Sequence, residues 1–148
     1  MIDAVAALIL TSGPPTFEAE ARACANALGA SAIAHRLSEL PEEIRRDLQR
    51  TDIFHGDRLA ESDVPILWTD APTAREQGYA TIRFAHAVLV RDKWIVQFQV
   101  SLFAGVRTIS YRRRPDGAFD FNPSVYFAGP VCPSIKAALD GVLNPTGF

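Results

Sequence analysis

Alternation of apolar and polar side chains dominates the second half of the chain and predicts an antiparallel sheet. Four alternating runs lie between residues 81 and 121, and three short turn segments separate them. The last turn reads Pro115-Asp116-Gly117, with glycine at the position that favours a left-handed backbone. We therefore expect a four-stranded antiparallel meander from about residue 80 to residue 122.

Counting residues across the three turns predicts which side chains share a face of this sheet. A three-residue first loop (91–93) pairs His86 with Phe98, a two-residue second turn pairs Phe98 with Tyr111, and a three-residue third loop pairs Tyr111 with Phe121. A two-residue first loop would instead mix apolar and polar positions. The expected apolar face comprises Phe84, Val88, Trp94, Val96, Phe98, Val100, Ile109, Tyr111 and Phe121.

Helical periodicity marks the rest of the chain. The pattern predicts one helix over residues 16–28, a second from about 38 to 50, and a third that begins near Pro133. A short strand is expected at 31–37. Together these elements predict one α+β domain over residues 1–148, with N-terminal helices, the meander, and a C-terminal helix packed on the sheet's apolar face.

The polar face of the predicted sheet has three interpretations, and the sequence does not choose among them. It is solvated, as most polar sheet faces are, or it binds a ligand, or it forms a homo-oligomer interface through glutamine, serine and threonine hydrogen bonds. The candidate ligand-binding residues are Arg83, Gln97, Gln99, Ser101 and Arg112 on the sheet, with Trp68 from the preceding connection.

The long connection over residues 51–78 has little periodicity, which is typical of functional or flexible loops. It contains His55 between Asp52 and Asp57, an arrangement in which carboxylates could orient an imidazole for general acid–base catalysis. His86 is a second candidate base, although the preferred register places it on the apolar face. Solvated-loop and core roles are the more ordinary interpretations of these residues.

Composition removes several classes of function. Seventeen acidic and fifteen basic residues give a net charge of −2, so no basic field exists to attract nucleic acid. The longest apolar run has seven residues, whereas a membrane span needs about 20. Metal-binding, phosphate-binding and dinucleotide-binding motifs are absent, so the sequence predicts neither a metal nor a cofactor.

The two cysteines bear on the cellular compartment. Residues 1–21 resemble a short signal peptide, but Asp3 stands where a basic residue is expected, so periplasmic export and a cytoplasmic location both stay open. If the chain is exported, Cys24 and Cys132 are expected to form one long-range disulfide. In the cytosol both would be buried thiols.

Three functional hypotheses remain at this stage. The first is a non-catalytic binding or interaction domain for an unknown small molecule or protein, which uses the polar sheet face and the loop from Asp52 to Asp70. The second is a small cofactor-independent hydrolase, lyase or isomerase with a His/Asp acid–base pair. The third is an oligomer-forming structural domain.

Overall fold

A five-stranded antiparallel sheet in the order β1-β2-β3-β4-β5 forms the centre of the protein. The computed structural model describes residues 16–50, 53–54 and 56–141, with 122–128 described by their backbone. The strands are β1 (Ala32–Ala34), β2 (Ile82–Val90), β3 (Lys93–Val100), β4 (Val106–Arg113) and β5 (Phe119–Gly129), and the helices are α1 (Glu18–Ala27), α2 (Glu42–Leu48) and α3 (Val131–Asp140). None of the helices within these residues is long and apolar enough to cross a membrane.

The α+β class is confirmed, together with the meander and a C-terminal helix that contacts the sheet. The predicted short strand near residue 33 becomes a fifth strand, which pairs with β2 through Ala32 opposite Leu89. The last strand runs to Gly129, where coil was expected from residue 122 onward. The first fifteen residues, where most of the signal-peptide pattern falls, lie outside the described part.

Two of the three predicted turns are wrong in length. The first is a two-residue turn at Arg91-Asp92, since β2 and β3 pair through Val90 opposite Lys93, and Arg91 takes the left-handed conformation with φ 57°. The second is a five-residue loop over 101–105, in which Leu102 has φ 62°. Non-glycine residues rarely adopt positive φ, so the pattern carries no signal for either turn.

The third turn, which contains a glycine, has the predicted register, with Tyr111 opposite Phe121. Gly117 takes the left-handed conformation there, with φ 88°. Glycine adopts this conformation without steric cost, so the glycine in the sequence predicts this turn correctly.

Helices cover both faces of the sheet, so the prediction of a single covered face is corrected. One face carries Phe84, Trp94 and Phe98, and it is buried by α2 and by Ile53, Phe54 and Leu59 of the connection between α2 and β2. Phe54 from that connection meets Phe98 edge to face at 5.0 Å. The opposite face carries Val88, Ile95 and Val106, which pack against α1 and α3.

A disulfide between Cys24 of α1 and Cys132 of α3 joins the two helices on the second face. The cysteines are 108 positions apart, and their Cα atoms lie 5.6 Å from each other. Ala21, Ala25, Ile135 and Ala138 complete the apolar contact beneath the bridge. The two helices therefore form one covalently closed layer over the sheet.

Removal of this disulfide should lower the free energy of unfolding by about 4 kcal/mol, because closure of so long a loop restricts the unfolded chain. The double variant Cys24→Ala/Cys132→Ala, compared with the wild type by urea denaturation, measures the difference. Dithiothreitol should destabilise the wild type and leave the double variant unchanged. Two free thiols in the unreduced wild-type protein would contradict the bridge.

Candidate functional site

A β-bulge at Ala85 determines which side chains meet on the face of the sheet that α1 and α3 cover. Phe84 pairs with Phe98, but His86 pairs with Gln97, so Ala85 is one extra residue in β2. In a regular strand, residues 83 and 86 would point to opposite faces. The bulge turns Arg83 and His86 to the same face, and bulges next to functional sites commonly redirect side chains in this way.

Two polar pairs follow directly from this register. Arg83 lies opposite Gln99, and its Nε and Nη2 donate to the Gln99 Oε1 at 3.1 and 2.6 Å. The Nε2 of His86 hydrogen bonds to the Oε1 of Gln97, its partner on β3. Gln97 in turn donates through Nε2 to Thr108 Oγ1 on β4, at 3.0 Å.

The polar ladder His86–Gln97–Thr108 ends at α3. The Gln97 Nε2 also donates to the backbone carbonyl of Val131, at 3.0 Å. His86, Gln97 and Thr108 are 1, 0 and 0% exposed, so this part of the polar face is neither solvated nor available to a second copy of the chain. The predicted placement of His86 on the apolar face is wrong, because the bulge turns its side chain to the opposite face. No residue pattern in the sequence predicts this bulge.

A cavity of about 400 Å³ opens where this polar face emerges beyond the start of α1. β2 supplies its floor, the residues that follow β1 supply one wall, and the 60–63 segment supplies another. Its lining residues are Thr16, Phe17, Glu18, His35, Arg36, Ser62, Asp63, Arg83, Phe84, Ala85, His86 and Gln99. We call this cavity the β2 pocket.

Hydrogen bonds hold the 60–63 wall of the pocket in place. Ala60 pairs with the start of β2, where its amide donates to the carbonyl of Ile82 at 3.0 Å. The Glu61 carboxylate accepts from the Leu37 amide at 2.9 Å, and the Ser62 hydroxyl donates to the His35 carbonyl at 2.8 Å. The two segments that flank the pocket are thus bound to each other and to the sheet.

Arg83 is the unusual charge in the β2 pocket. Arg36 pairs with Asp63 at 3.3 Å, and Glu18 pairs with Arg22 at 3.2 Å. Arg83, by contrast, is half-buried and bonds to neutral acceptors, with Nη1 donating to the Val64 carbonyl at 3.1 Å. Among the described residues no carboxylate pairs with it.

Burial lowers the pKa values of two basic groups on the pocket floor, Arg83 and His86. Desolvation lowers the pKa of the Arg83 guanidinium, which stays charged because arginine titrates far above neutral pH. The pKa of His86 is lowered to about 4, mainly by desolvation and to a smaller extent by the nearby His35, against the opposing effect of the Gln97 hydrogen bond. The His86 imidazole is therefore neutral at pH 7.

The other predicted site residues lie apart from this pocket. Ser101 donates to the Leu67 carbonyl at 2.6 Å and thereby fastens the long connection, and Trp68 is half-buried in that connection. Arg112 is exposed and pairs with Asp92 at 3.3 Å. Asp57 is exposed, whereas its predicted partners Asp52 and His55 lie outside the described residues.

Sequence reasoning missed the residues that come from outside the sheet. His35 and Arg36 follow a three-residue strand, and Ser62 and Asp63 belong to a segment without periodicity. The strand pairing that places His35, with Ala34 opposite Ala87, is a tertiary contact and not a pattern in the sequence. Correct pairing of β1 would have brought His35 next to His86.

Within the described part of the chain, no three His, Cys, Asp or Glu side chains are grouped closely enough to hold a metal ion. We compared the chain with protein-family models, with curated proteins and with solved structures, and none of the three comparisons found a match.

Burial of neutral His86 makes the stability of the fold depend on pH. The pKa of His86 falls from 6.5 to about 4 on folding, so the unfolded chain binds a proton that the folded chain does not bind between these values. Its contribution is constant above pH 6.5 and decreases by about 3 kcal/mol as the pH falls to 4.

The variant His86→Gln isolates this effect, because its amide offers Gln97 a donor but does not titrate. The free energy of unfolding of wild type minus variant, measured by urea denaturation from pH 8 to pH 4, should decrease below pH 6.5. A constant difference over this range would show that His86 is not buried in its neutral form.

Proposed function

We propose that the chain binds a small anionic molecule in the β2 pocket and does not transform it. The observation that supports this proposal most directly is that half-buried Arg83 lines the cavity and its guanidinium has no carboxylate partner among the residues that the structure describes. A charge taken out of water is costly unless an opposite charge compensates for it. An anionic ligand would supply that compensation.

The hydrogen bonds of Arg83 support the same proposal. Three of its five N–H groups donate to Gln99 and to the Val64 carbonyl, which leaves one N–H on each terminal nitrogen. Two terminal N–H groups suit a carboxylate or phosphate oxygen. Because neutral acceptors hold the guanidinium in a fixed orientation, less conformational entropy is lost on binding.

The dimensions and charges of the pocket favour a small ligand. Ligand sites commonly enclose about 300–1,000 Å³, and the β2 pocket lies near the lower limit. Its remaining full charges are compensated, since Arg36 and Glu18 have partners of opposite sign. Arg83 thus supplies the one full charge of the lining that no other described residue compensates.

Binding has better support than acid–base catalysis in the same pocket. Burial lowers the pKa of His86 to about 4, which makes the imidazole a weak base at neutral pH. Its hydrogen-bond partner among the described residues is an amide, whereas Asp63, the carboxylate across the pocket, pairs with Arg36. A His/Asp pair of the kind that such an enzyme would use is not formed by these residues.

The disulfide indicates the kind of compartment in which the chain would bind its ligand. Disulfides persist in oxidising compartments and are rare in the cytosol of most organisms. We infer that the chain works outside the cytosol, because Cys24 and Cys132 are bridged between the two helices that cover the pocket side of the sheet.

Replacement of Arg83 by methionine should weaken anion binding about 10-fold or more, because a charge-assisted pair of hydrogen bonds is lost. Isothermal titration with butyrate, succinate, inorganic phosphate and sulfate provides the measurement. Arg83→Lys, which keeps the charge but loses the planar arrangement of donors, should give an intermediate affinity.

The matched control is Arg112→Met, which removes an exposed arginine on β4 that pairs with Asp92. This variant should bind the anions like the wild type. The proposal would be wrong if none of the anions binds to the wild type, or if Arg83→Met and Arg112→Met weaken binding equally.

A further inference from the structure

The direction of the Gln97 side chain determines which atom of His86 is left for a ligand. The Gln97 Nε2 lies 3.0 Å from the Val131 carbonyl oxygen, and a carbonyl can only accept a hydrogen bond. The same nitrogen lies 3.0 Å from the Thr108 hydroxyl. The amide NH₂ group therefore faces α3 and β4, and the amide oxygen faces His86.

An amide oxygen can only accept, so the Nε2 of His86 must donate to it. The imidazole is neutral at pH 7 and carries a single ring proton, which is therefore on Nε2. The other ring nitrogen, Nδ1, keeps a lone pair. It has no hydrogen-bond partner among the residues that the structure describes, and His86 is one of the residues that line the β2 pocket.

We infer that the ligand of the β2 pocket carries a hydrogen-bond donor, a hydroxyl or an N–H group, in addition to its anionic group, and that this donor binds to Nδ1 of His86. This inference rests on the anion-binding function proposed above. The inference restricts the ligand from any small anion to a small acid that also carries a hydrogen-bond donor outside its acidic group.

The bulge sets the spacing between the two groups. Arg83 and His86 lie opposite Gln99 and Gln97, which are two residues apart on β3, so their backbones are separated by roughly 7 Å. The donor and the anionic group are therefore expected at separate positions of one small molecule.

A buried site that accepts a hydrogen bond discriminates strongly against ligands that have no donor, because its acceptor is then left unpaired. The test compares butyrate, 3-hydroxybutyrate and 4-hydroxybutyrate with the two corresponding methoxy compounds. Methoxy groups keep the oxygen but lack the proton. At least one hydroxy acid should bind to the wild type about 10-fold or more tightly than butyrate and than its own methoxy analogue.

Two variants separate this inference from the proposed function. His86→Phe, which lacks the acceptor, should bind the hydroxy acid and its methoxy analogue equally. Arg83→Met should weaken binding of every compound. Equal affinity of all five compounds for the wild type, lost in Arg83→Met, would overturn the donor inference and leave anion binding intact. Failure of all five to bind would overturn the donor inference, and anion binding would be overturned as well if succinate, phosphate and sulfate also failed to bind.

A spectroscopic measurement on the wild type keeps the inference testable if His86→Phe does not fold. The ¹⁵N chemical shift of a histidine nitrogen differs widely between the protonated and the lone-pair state. We expect Nε2 protonated and Nδ1 unprotonated at pH 7, with the Nδ1 resonance shifting when the hydroxy acid is added. A proton on Nδ1 in the free protein would overturn the inference.

Discussion

Gln97 is a buried amide whose donors and acceptor must all find partners, and this requirement ties the sheet to the C-terminal helix and to the pocket. Its NH₂ group reaches Thr108 on β4 and the Val131 carbonyl at the start of α3, while its oxygen faces His86 on β2. A buried polar group left unpaired would cost about 1–3 kcal/mol. One side chain thus fixes the relation between three strands, a helix and an imidazole.

Coverage of the sheet on both faces explains why polar side chains are buried at all. Large apolar residues fill the face beneath α2 and the connection between α2 and β2. The face beneath α1 and α3 combines apolar packing with the polar ladder of His86, Gln97 and Thr108. Packing on that face resists deformation, and the hydrogen bonds orient the pocket floor, so the same layer provides stability and specificity.

The sequence predicted the local features of the fold well, because they depend on local chemistry. Alternation with period two identified the four long strands, and the turn containing Gly117 was predicted in its true register. The turn at Arg91 was not, since a non-glycine residue occupies a left-handed conformation there. Ala85 gives no signal of a bulge, although the bulge reverses every later assignment of faces along β2.

The candidate site was harder to predict, because it depends on tertiary contacts. Arg83 and Gln99 were recognised as polar positions on one face, but sequence periodicity cannot show that a helix layer would enclose their neighbours. His35 and Asp63 reach the pocket only through strand pairing and loop contacts between segments far apart in the chain. Such contacts produce no periodic pattern of apolar and polar residues in the sequence.

The position of α3 after the sheet in the chain has a consequence for assembly. Val131 supplies the carbonyl that orients Gln97, and Cys132 supplies the second half of the bridge to α1. Contacts between residues this far apart in sequence form late and slowly. A nascent chain that has not yet reached Val131 can form the hairpins of the sheet, but its Gln97 has no fixed orientation. The recognition chemistry of the pocket is therefore acquired only after Val131 and Cys132 have been synthesised.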